Sequence, residues 1–444
     1  MSSNRDEMIQ LFKGAMHNLE IYDEIEVALE RQYSKEKTQV TQEEKLKNMI
    51  QHAFSTTKFY KKKYEGIVTD NSEITLECLS KLPILEKEEI KENFFDMISD
   101  GYDLKRCMRN RTSGSTGKPV INLQDVKLHN KVFKVNYYRE RAAWGVEGLC
   151  NILMIVPKHF RVDKYVYPDY QIDQLTFDKI WQVHPEEVSY NYEEVFDTVK
   201  PDIIYGNPHL LLAMARDCEQ AGVKMNPPKI IISSFEMLDK ASREYLERIF
   251  CCNVYDVYGF SEIGDVAWQC PIGGEYHIND DYVVVEVVND KGQCVYEEAG
   301  DIVVTSLYNY PMPIIRYRTG DKGILSRELC SCGRKTSILR QVLGRNVDFV
   351  TLPSGRKISP YELMDLMNKK NIKQFQIVQN SATQLIVKYV SSLSKVHYEL
   401  LRENLKDIVN DEISVTLEEV EKIESEPSGK FKVIKINYEK QERK

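Results

Sequence analysis

Residues Arg111 to Val120 have the sequence RTSGSTGKPV, and this stretch limits the choice of fold more than any other. Its centre, from Ser113 to Lys118, combines hydroxyls, glycines and one ammonium group. Glycines allow a tight turn that brings backbone N–H groups close to an anion, and hydroxyls add further donors. The stretch therefore predicts a phosphate-binding loop.

The first alternative for such a loop is the P-loop of kinases and ATPases. The Walker pattern G-x-x-x-x-G-K-[ST] would require a glycine at position 112 and a hydroxyl residue at position 119. Those positions hold Thr112 and Pro119. The hydroxyl that would bind Mg²⁺ is missing, so the Walker assignment fails.

The loop resembles instead the nucleotide loop of adenylate-forming enzymes, the superfamily of acyl-CoA synthetases, luciferases and peptide-synthetase adenylation domains. Four further segments match motifs of that superfamily in the same order. They are YGFSE at Tyr258–Glu262, YRTGD at Tyr317–Asp321, the hinge pair Gly344-Arg345, and PSGK at Pro427–Lys430. Five ordered matches between Arg111 and Lys430 are hard to produce by chance.

A branch of the superfamily is also indicated. The segments Gln51–Ala53 and Phe59–Lys61, LPILEK at Leu82–Lys87, and YGNP at Tyr205–Pro208 resemble phenylacetate–CoA ligases and their CapK-like relatives. In that branch the loop ends in Gly-Lys-Pro, as it does here. The resemblance covers nearly the whole chain.

Size and composition indicate a globular enzyme of more than one domain. A chain of 444 residues exceeds the size at which one core usually stops growing, and its apolar content is 42%. The net charge of −8 argues against nucleic acid as the main partner. The sequence has no run of about 18 apolar residues and no apolar signal core at its start, so we expect a cytoplasmic protein without membrane insertion.

The pattern of apolar residues predicts an α/β fold. Short apolar runs such as Asn151–Val156 and Lys229–Ile232 alternate with helical segments such as Leu210–Ala221, which indicates buried parallel strands. Residues 5–65 have helical spacing, and residues 282–305 alternate around a turn, which predicts an antiparallel β-rich part.

The resemblance implies how these parts are divided. A large N-terminal adenylation domain, residues 1–343, would hold mixed and parallel sheets packed by helices and a β-rich subdomain. Residues 344–444 would form a small, mobile α+β lid, with the hinge at about residues 345–348. The superfamily usually has a charged residue two positions after the hinge arginine, whereas this chain has Val347 followed by Asp348. Either the hinge is shifted by one residue or rotation of the lid matters less.

The resemblance also implies the roles of the nucleotide-binding residues. The loop would clamp the β- and γ-phosphates, Glu262 would hold Mg²⁺, and Asp321 would accept the ribose hydroxyls. Asp256 would accept the adenine amino group while Tyr258 packs on the ring, and Arg345 would contact the ribose or the phosphates. The complete set is Thr112, Ser113, Gly114, Ser115, Thr116, Gly117, Lys118, Ser234, Phe235, Glu236, Asp256, Tyr258, Gly259, Ser261, Asp321 and Arg345.

Lys430 and Glu262 are the expected catalytic residues. In the superfamily the lysine reaches the attacking carboxylate and the α-phosphate, where an ammonium group stabilises charge that builds up in the transition state.

The acyl pocket would draw on Tyr138, Tyr205, Gly206, Phe235, Gly259 and Phe260. An aromatic lining favours an aryl acid, and an alkyl acid stays open. Asn207 and His209 either meet a polar substituent of the acid or satisfy loop backbone.

Cysteine and histidine residues between the YGFSE motif and the hinge predict a metal site. Cys270, His277, Cys330 and Cys332 offer three thiolates and one imidazole, a normal tetrahedral set for a structural zinc. Because all four ligands are protein groups, no position would be open for catalysis. The alternative is free thiols and an unrelated histidine.

These observations predict an ATP-dependent carboxylate ligase. It would convert a small carboxylic acid to acyl-AMP and then transfer the acyl group to coenzyme A or to a carrier-protein phosphopantetheine. An adenylating enzyme that forms an amide or ester, and a nucleotide-binding scaffold without catalysis, are the alternatives. A homodimer is left open.

Overall fold

The structure is a computed structural model that describes residues 20–69, 74–111, 120–156, 166–173, 178–185, 189–345, 350–358, 363, 367, 372, 374–390, 395–421, 423 and 432–437. The chain divides into two compact units. Unit 1 comprises residues 1–148, 257–319 and 323–342, and unit 2 comprises residues 149–256, 320–322 and 343–444. Within the described ranges, every helix is too short or too polar to cross a membrane.

The helices and strands are numbered in chain order. The helices of the described residues are α1 (Glu20–Arg31), α2 (Lys35–Thr56), α3 (Lys58–Lys63), α4 (Leu76–Leu79), α5 (Lys87–Glu92), α6 (Val126–Ala143), α7 (Tyr192–Val199), α8 (Pro208–Ala221), α9 (Lys240–Phe250) and α10 (Lys395–Ile408). The strands are β1 (Cys107–Arg111), β2 (Ile121–Asp125), β3 (Asn151–Ile155), β4 (Gln171–Ile172), β5 (Lys179–Val183), β6 (Ile203–Gly206), β7 (Ile230–Ser234), β8 (Asn253–Phe260), β9 (Gly264–Gln269), β10 (Tyr276–Ile278), β11 (Val283–Val288), β12 (Ala299–Ser306), β13 (Tyr317–Ser326), β14 (Ile338–Arg345), β15 (Val350–Thr351), β16 (Lys357–Ile358), β17 (Gln374–Ser381), β18 (Gln384–Val390), β19 (Ser414–Glu419) and β20 (Ile434–Ile436).

Unit 1 contains the β-rich part of the fold. Its strands are hydrogen-bonded in the order β11-β12-β13-β14-β10-β9-β8. β11 and β12 are antiparallel, with Val283 opposite Ser306 and Val288 opposite Asp301, which confirms the antiparallel prediction for residues 282–305. Every residue of β11 is buried, as expected for a strand of nearly continuous valines that is covered on both faces.

A buried arginine anchors the start of β13 in unit 1. Arg316 has a left-handed backbone (φ 50°), and its guanidinium donates to both oxygens of Glu286 at 3.0 and 2.9 Å. It also donates to the carbonyl oxygens of Ser80 and Leu82. Burial raises the pKa of Glu286, and the charge of Arg316 offsets part of that rise. These bonds fix the backbone position from which Tyr317 and the rest of the YRTGD motif begin.

Unit 2 contains the predicted parallel strands. They are hydrogen-bonded in the order β7-β6-β3-β5, and β4 is an antiparallel edge strand beside β5. Helices α7, α8 and α9 lie between successive strands along the chain, so the predicted alternation of strand and helix is confirmed. In such sheets the carboxyl ends of the strands meet at one edge, where ligands are usually bound. Gly206 and Ser234 end β6 and β7 at this edge.

Two of the three helices in this part begin with a side-chain cap. Asn191 accepts a hydrogen bond from the backbone N–H of Glu194 at the start of α7, and Asp239 accepts one from Ser242 at the start of α9. α8 begins instead with Pro208, whose fixed φ suits the first helical turn, and the side chain of Asn207 makes no cap bond.

Residues 374–436 of unit 2 form a separate small sheet. Its order is β19-β18-β17-β20, in which β17 and β18 are antiparallel and the outer pairs are parallel. Helix α10 runs between β18 and β19 along the chain, and its Leu401 and Leu405 are buried in the hydrophobic core of this sheet. The structure thus confirms the predicted α/β class with a β-rich part and a small C-terminal α+β part.

Candidate functional site

The phosphate-loop residues Thr112 to Lys118, with Pro119, lie outside the described residues, but the hairpin that carries them is described. β1 and β2 pair in antiparallel register from Cys107 opposite Asp125 to Arg111 opposite Ile121. The loop therefore connects two strand ends that face each other.

Two buried amides attach this hairpin to the YGFSE motif. Asn122 and Gln124 on β2 are each 1% exposed. Their side-chain N–H groups donate to the backbone carbonyl of Glu262 at 2.6 and 2.9 Å. Gln124 also donates to the carbonyl of Ser261 at 3.3 Å. The backbone that presents Glu262 and the hairpin of the phosphate loop are thus held together.

Glu262 lies in the turn between β8 and β9 and is 5% exposed. The hydroxyl of Tyr317 donates to its Oε1 at 3.0 Å, so the first residue of the YRTGD motif binds the last residue of the YGFSE motif. The centroid of the Phe260 ring lies 6.2 Å from that of Tyr317 and 6.1 Å from that of Tyr258.

The glycine of the YGFSE motif is required by a close backbone approach. The register between β8 and β9 shifts between Tyr258 and Gly259. A Cβ atom at Gly259 would lie 2.6 Å from the carbonyl oxygen of Gly264. Any side chain at this position would push the two strands apart and displace Ser261 and Glu262.

The residues predicted to bind adenine, Ser234, Phe235, Glu236 and Asp256, lie in unit 2. The buried carboxylate of Asp256 accepts a hydrogen bond from the Ser233 hydroxyl at 2.9 Å. Phe235 has a left-handed backbone (φ 73°), a strained conformation for a bulky residue. Glu236 pairs with His209, whose Nδ1 lies 2.7 Å from the Glu236 Oε2.

The remaining predicted site residues fall in different places. Asp321 is partly buried in the middle of β13, whereas the sequence placed it after a strand. Arg345 is the last residue of β14 and its side chain lies outside the described residues, as does all of Lys430. Of the acyl-pocket residues, Tyr138, Gly259 and Phe260 belong to unit 1, and Tyr205, Gly206 and Phe235 belong to unit 2.

The four predicted metal ligands come together in unit 1. One ligand atom from each of Cys270, His277, Cys330 and Cys332 lies within 4.8 Å of all the others. His277 Nε2 is 3.2 Å from the Cys332 sulfur, and the sulfurs of Cys330 and Cys270 are 3.5 Å apart. Three thiols and an imidazole at these separations have the number and chemistry of a closed tetrahedral zinc site.

The surroundings of this Cys/His cluster orient the histidine and shift two of the thiols in opposite directions, since burial raises the pKa of Cys330 to about 12 whereas the pKa of Cys332 is lowered. Nδ1 of His277 lies 2.8 Å from the Thr336 hydroxyl, which leaves Nε2 directed at the sulfurs. Burial, assisted by the charge of Arg334, lowers the pKa of His277 to about 4, so the ring is neutral at neutral pH. Burial acts to raise the pKa of Cys332, but hydrogen bonds from Arg334 and then those with Cys330 and Cys270 together outweigh it and lower that pKa.

Sequence reasoning missed three residues of this site: Asn122, Gln124 and Tyr317 as a partner of Glu262. A signal was present for the first two, because buried strands rarely carry amides unless those amides are hydrogen-bonded. Their partner, a backbone carbonyl 138 to 140 residues away, had no sequence signal.

Replacing Tyr317 with phenylalanine tests the buried bond to Glu262. Tyr317→Phe removes the donor and keeps the ring, so we expect the free energy of unfolding in urea to fall by about 1–3 kcal/mol. The control is Tyr33→Phe in the same unit, whose exposed tyrosine should change stability by less than about 0.5 kcal/mol. Equal losses in the two variants would contradict a specific contribution from the Tyr317 hydroxyl.

Comparisons with known proteins show which proteins this chain is similar to. A family model described as the CapK C-terminal domain matches residues 350–437. Protein CapK of Staphylococcus aureus is 25% identical over 393 residues, which cover 83% of this chain and 83% of that protein. Phenylacetate-coenzyme A ligase of Aromatoleum evansii is 25% identical over 357 residues, which cover 76% of each.

A solved structure shares the fold. The structure of 2-hydroxyisobutyryl-CoA ligase in the postadenylation state, in complex with 2-HIB-AMP, has a TM-score of 0.73 at 18% identity, covering 90% of this chain and 89% of that one. The architecture, the ordered motifs and these relatives agree. The chain is therefore similar, over most of its length, to the branch of the adenylate-forming superfamily that contains phenylacetate–CoA ligases and CapK-like proteins.

Proposed function

We propose that this protein is an ATP-dependent carboxylate ligase that forms acyl-AMP, releases pyrophosphate and transfers the acyl group to a thiol. The observation that carries the proposal is the set of buried hydrogen bonds at Glu262. Its backbone is bound by the hairpin of the phosphate loop, and its carboxylate is bound by Tyr317. The hairpin that carries the phosphate loop, the YGFSE motif and the YRTGD motif thereby meet at one residue, Glu262.

The activation step joins two anions, so positive charge must be gathered around the phosphates. The hydroxyls and backbone N–H groups of residues 112–117 and the ammonium of Lys118 would bind the β- and γ-phosphates. Glu262 would hold Mg²⁺, since a hard carboxylate oxygen suits that ion, and the bound ion would neutralise phosphate charge.

The base and sugar of the nucleotide would be bound by residues of unit 2. Asp256, oriented by the Ser233 hydroxyl, would accept the adenine amino group, and Ser234 to Glu236 would line the ring. Asp321 would accept the ribose hydroxyls in a bidentate manner. Arg345 would contact the ribose or the phosphates.

The second half-reaction would use residues 344–444 as a lid that moves relative to residues 1–343, with the hinge at about residues 345–348. Such domain rearrangements let one fold serve two reactions in turn. In the first half-reaction Lys430 would reach the attacking carboxylate oxygen and the α-phosphate. Coenzyme A is the proposed acceptor, and the phosphopantetheine group of a carrier protein is the alternative acceptor. We place the reaction in the cytoplasm.

Exchange of labelled pyrophosphate into ATP tests the first half-reaction. An acid-dependent exchange should appear in the wild type, and Lys430→Ala should lower its rate by about 100-fold or more, because the ammonium stabilises charge in the transition state. The control is Lys240→Ala, an exposed lysine at the start of α9, which should exchange at the wild-type rate.

Full exchange in the Lys430→Ala variant would contradict the assignment of that lysine. Binding of ATP without exchange for any acid of a broad panel would contradict the ligase itself and would favour a nucleotide-binding scaffold.

An adenylating enzyme that forms an amide or ester is the second candidate. The match of residues 350–437 to the CapK C-terminal domain favours it, because this part of the chain would meet the acceptor. Offering the adenylated enzyme coenzyme A or a panel of amines and alcohols separates the two candidates. Preferential release of AMP by an amine or alcohol would replace the thiol in the proposal.

We further propose that the Cys/His cluster of Cys270, His277, Cys330 and Cys332 holds a structural zinc ion. The ion would connect the end of β9, β10 and the loop before β14, and so pin the segments that separate the Glu262 turn from β14. All four ligands come from the protein, which leaves no position for substrate.

Metal analysis tests the zinc proposal. We expect about one zinc ion per chain, and we expect Cys332→Ser to lose it together with at least about 4 kcal/mol of unfolding free energy, since metal binding is coupled to folding. Cys251→Ser, at an exposed cysteine outside the cluster, should keep the metal. Two results together would overturn the proposal. The wild-type protein would contain no zinc and bind no added zinc, and the Cys332→Ser variant would be as stable as the wild type.

A further inference from the structure

Polar side chains gather at the carboxyl ends of β6 and β7 in unit 2. β6 and β7 are hydrogen-bonded neighbours, with Gly206 opposite Ser233. Asn207 and His209 follow β6, and Glu236 follows β7. We call Asn207, His209 and Glu236 the edge cluster.

Asn207 is a buried amide whose side chain does not cap the helix that follows it. It is 2% exposed and stands before α8, yet it makes no cap bond, in contrast to Asn191 and Asp239 before the neighbouring helices. Its Oδ1 has no hydrogen-bond partner among the described residues. A buried acceptor without a donor is costly, and such groups in native proteins require an explanation. A hydroxyl or amino group of a ligand would satisfy it.

His209 presents a second acceptor. Its Nδ1 lies 2.7 Å from the Glu236 carboxylate, and the two side chains are only 18% and 15% exposed. A carboxylate only accepts, so Nδ1 carries the hydrogen of the bond. In the neutral ring this tautomer makes Nε2 an acceptor, held in orientation by Glu236.

Aromatic rings supply the apolar side of the same edge. The Tyr205 and Phe235 rings are 5.8 Å apart and nearly perpendicular, at 86°. The left-handed backbone of Phe235 turns the chain directly before Glu236. Strained residues of this kind often lie at ligand sites. These rings belong to residues that adjoin the edge cluster in sequence, and together with its two acceptors they suit an aromatic ring that carries a hydrogen-bond donor.

We propose that the edge cluster selects the acid to be activated, and that this acid is an aryl acid with a hydroxyl or amino substituent. The inference rests on the proposed ligase function and names its substrate class. Asn207 Oδ1 and His209 Nε2 accept from the substituent, while Tyr205 and Phe235 contact the ring. Glu236 is a positioning residue that acts through His209.

The test is the pyrophosphate exchange measured with matched acids. The acids are phenylacetic and benzoic acids that carry a hydroxyl, amino or methyl group at each ring position. A methyl group has nearly the size of a hydroxyl or amino group but no hydrogen-bond donor, so the comparison separates the effect of the donor from the effect of substituent size. We expect kcat/KM for the best hydroxyl- or amino-substituted acid to exceed that of its methyl analogue by about 100-fold or more, since a site built for a donor rejects analogues that lack it.

Variants assign the preference to the edge cluster. Asn207→Ala and His209→Phe should each lower the donor-to-methyl ratio at least about tenfold. Asn207→Asp keeps an acceptor and should retain the preference for a donor, shifted towards the amino-substituted acid. Asn253→Ala, at an exposed asparagine of the same unit, should leave the ratio unchanged.

Two results would overturn the inference while the ligase function stands. One is exchange that is as fast with methyl or unsubstituted acids as with the donor-bearing acids. The other is an equal loss for every acid in the Asn207 and His209 variants, which would indicate a structural role. Failure of exchange with all acids would instead remove the proposed function.

Discussion

The buried hydrogen bond between the Tyr317 hydroxyl and the Glu262 carboxylate is the interaction on which the site depends most. It joins two motifs that are 55 residues apart. Arg316, locked by Glu286, fixes the backbone on the Tyr317 side, and Asn122 and Gln124 fix the backbone of Glu262. A buried carboxylate is costly unless it is hydrogen-bonded or paired with a cation. This network therefore stabilises unit 1 and holds the Glu262 carboxylate in a fixed position.

Much of the fold could be predicted because it follows local periodicity. The apolar runs of β3 and β7 and the helical spacing of α8 identified the parallel part, and the alternation over residues 282–305 identified the β11–β12 pair. The anchoring of Arg316 could not be predicted. Its partners are the Glu286 carboxylate and carbonyls of Ser80 and Leu82, which come together only through long-range packing.

The site was predictable to the extent that residue type carries the chemistry. Three cysteines and a histidine predicted a common cluster, and the structure brings their ligand atoms together. Asn122 and Gln124 were missed because each donates to a backbone carbonyl. Every residue type has such a carbonyl, so the sequence does not indicate which residue is the partner. The role of Asn207 was open in the sequence, since an asparagine before a helix normally caps it. Only the structure shows that this one does not.

The central claim is that the acid is activated on the α-phosphorus of ATP, and its most direct test follows oxygen atoms. The acid is labelled with ¹⁸O in both carboxylate oxygens and turned over with ATP and coenzyme A, and the products are analysed by mass spectrometry. Attack on the α-phosphorus followed by cleavage of the acyl–oxygen bond leaves one ¹⁸O in AMP and none in pyrophosphate. Label in inorganic phosphate formed together with ADP would show activation at the γ-phosphorus and would contradict the claim.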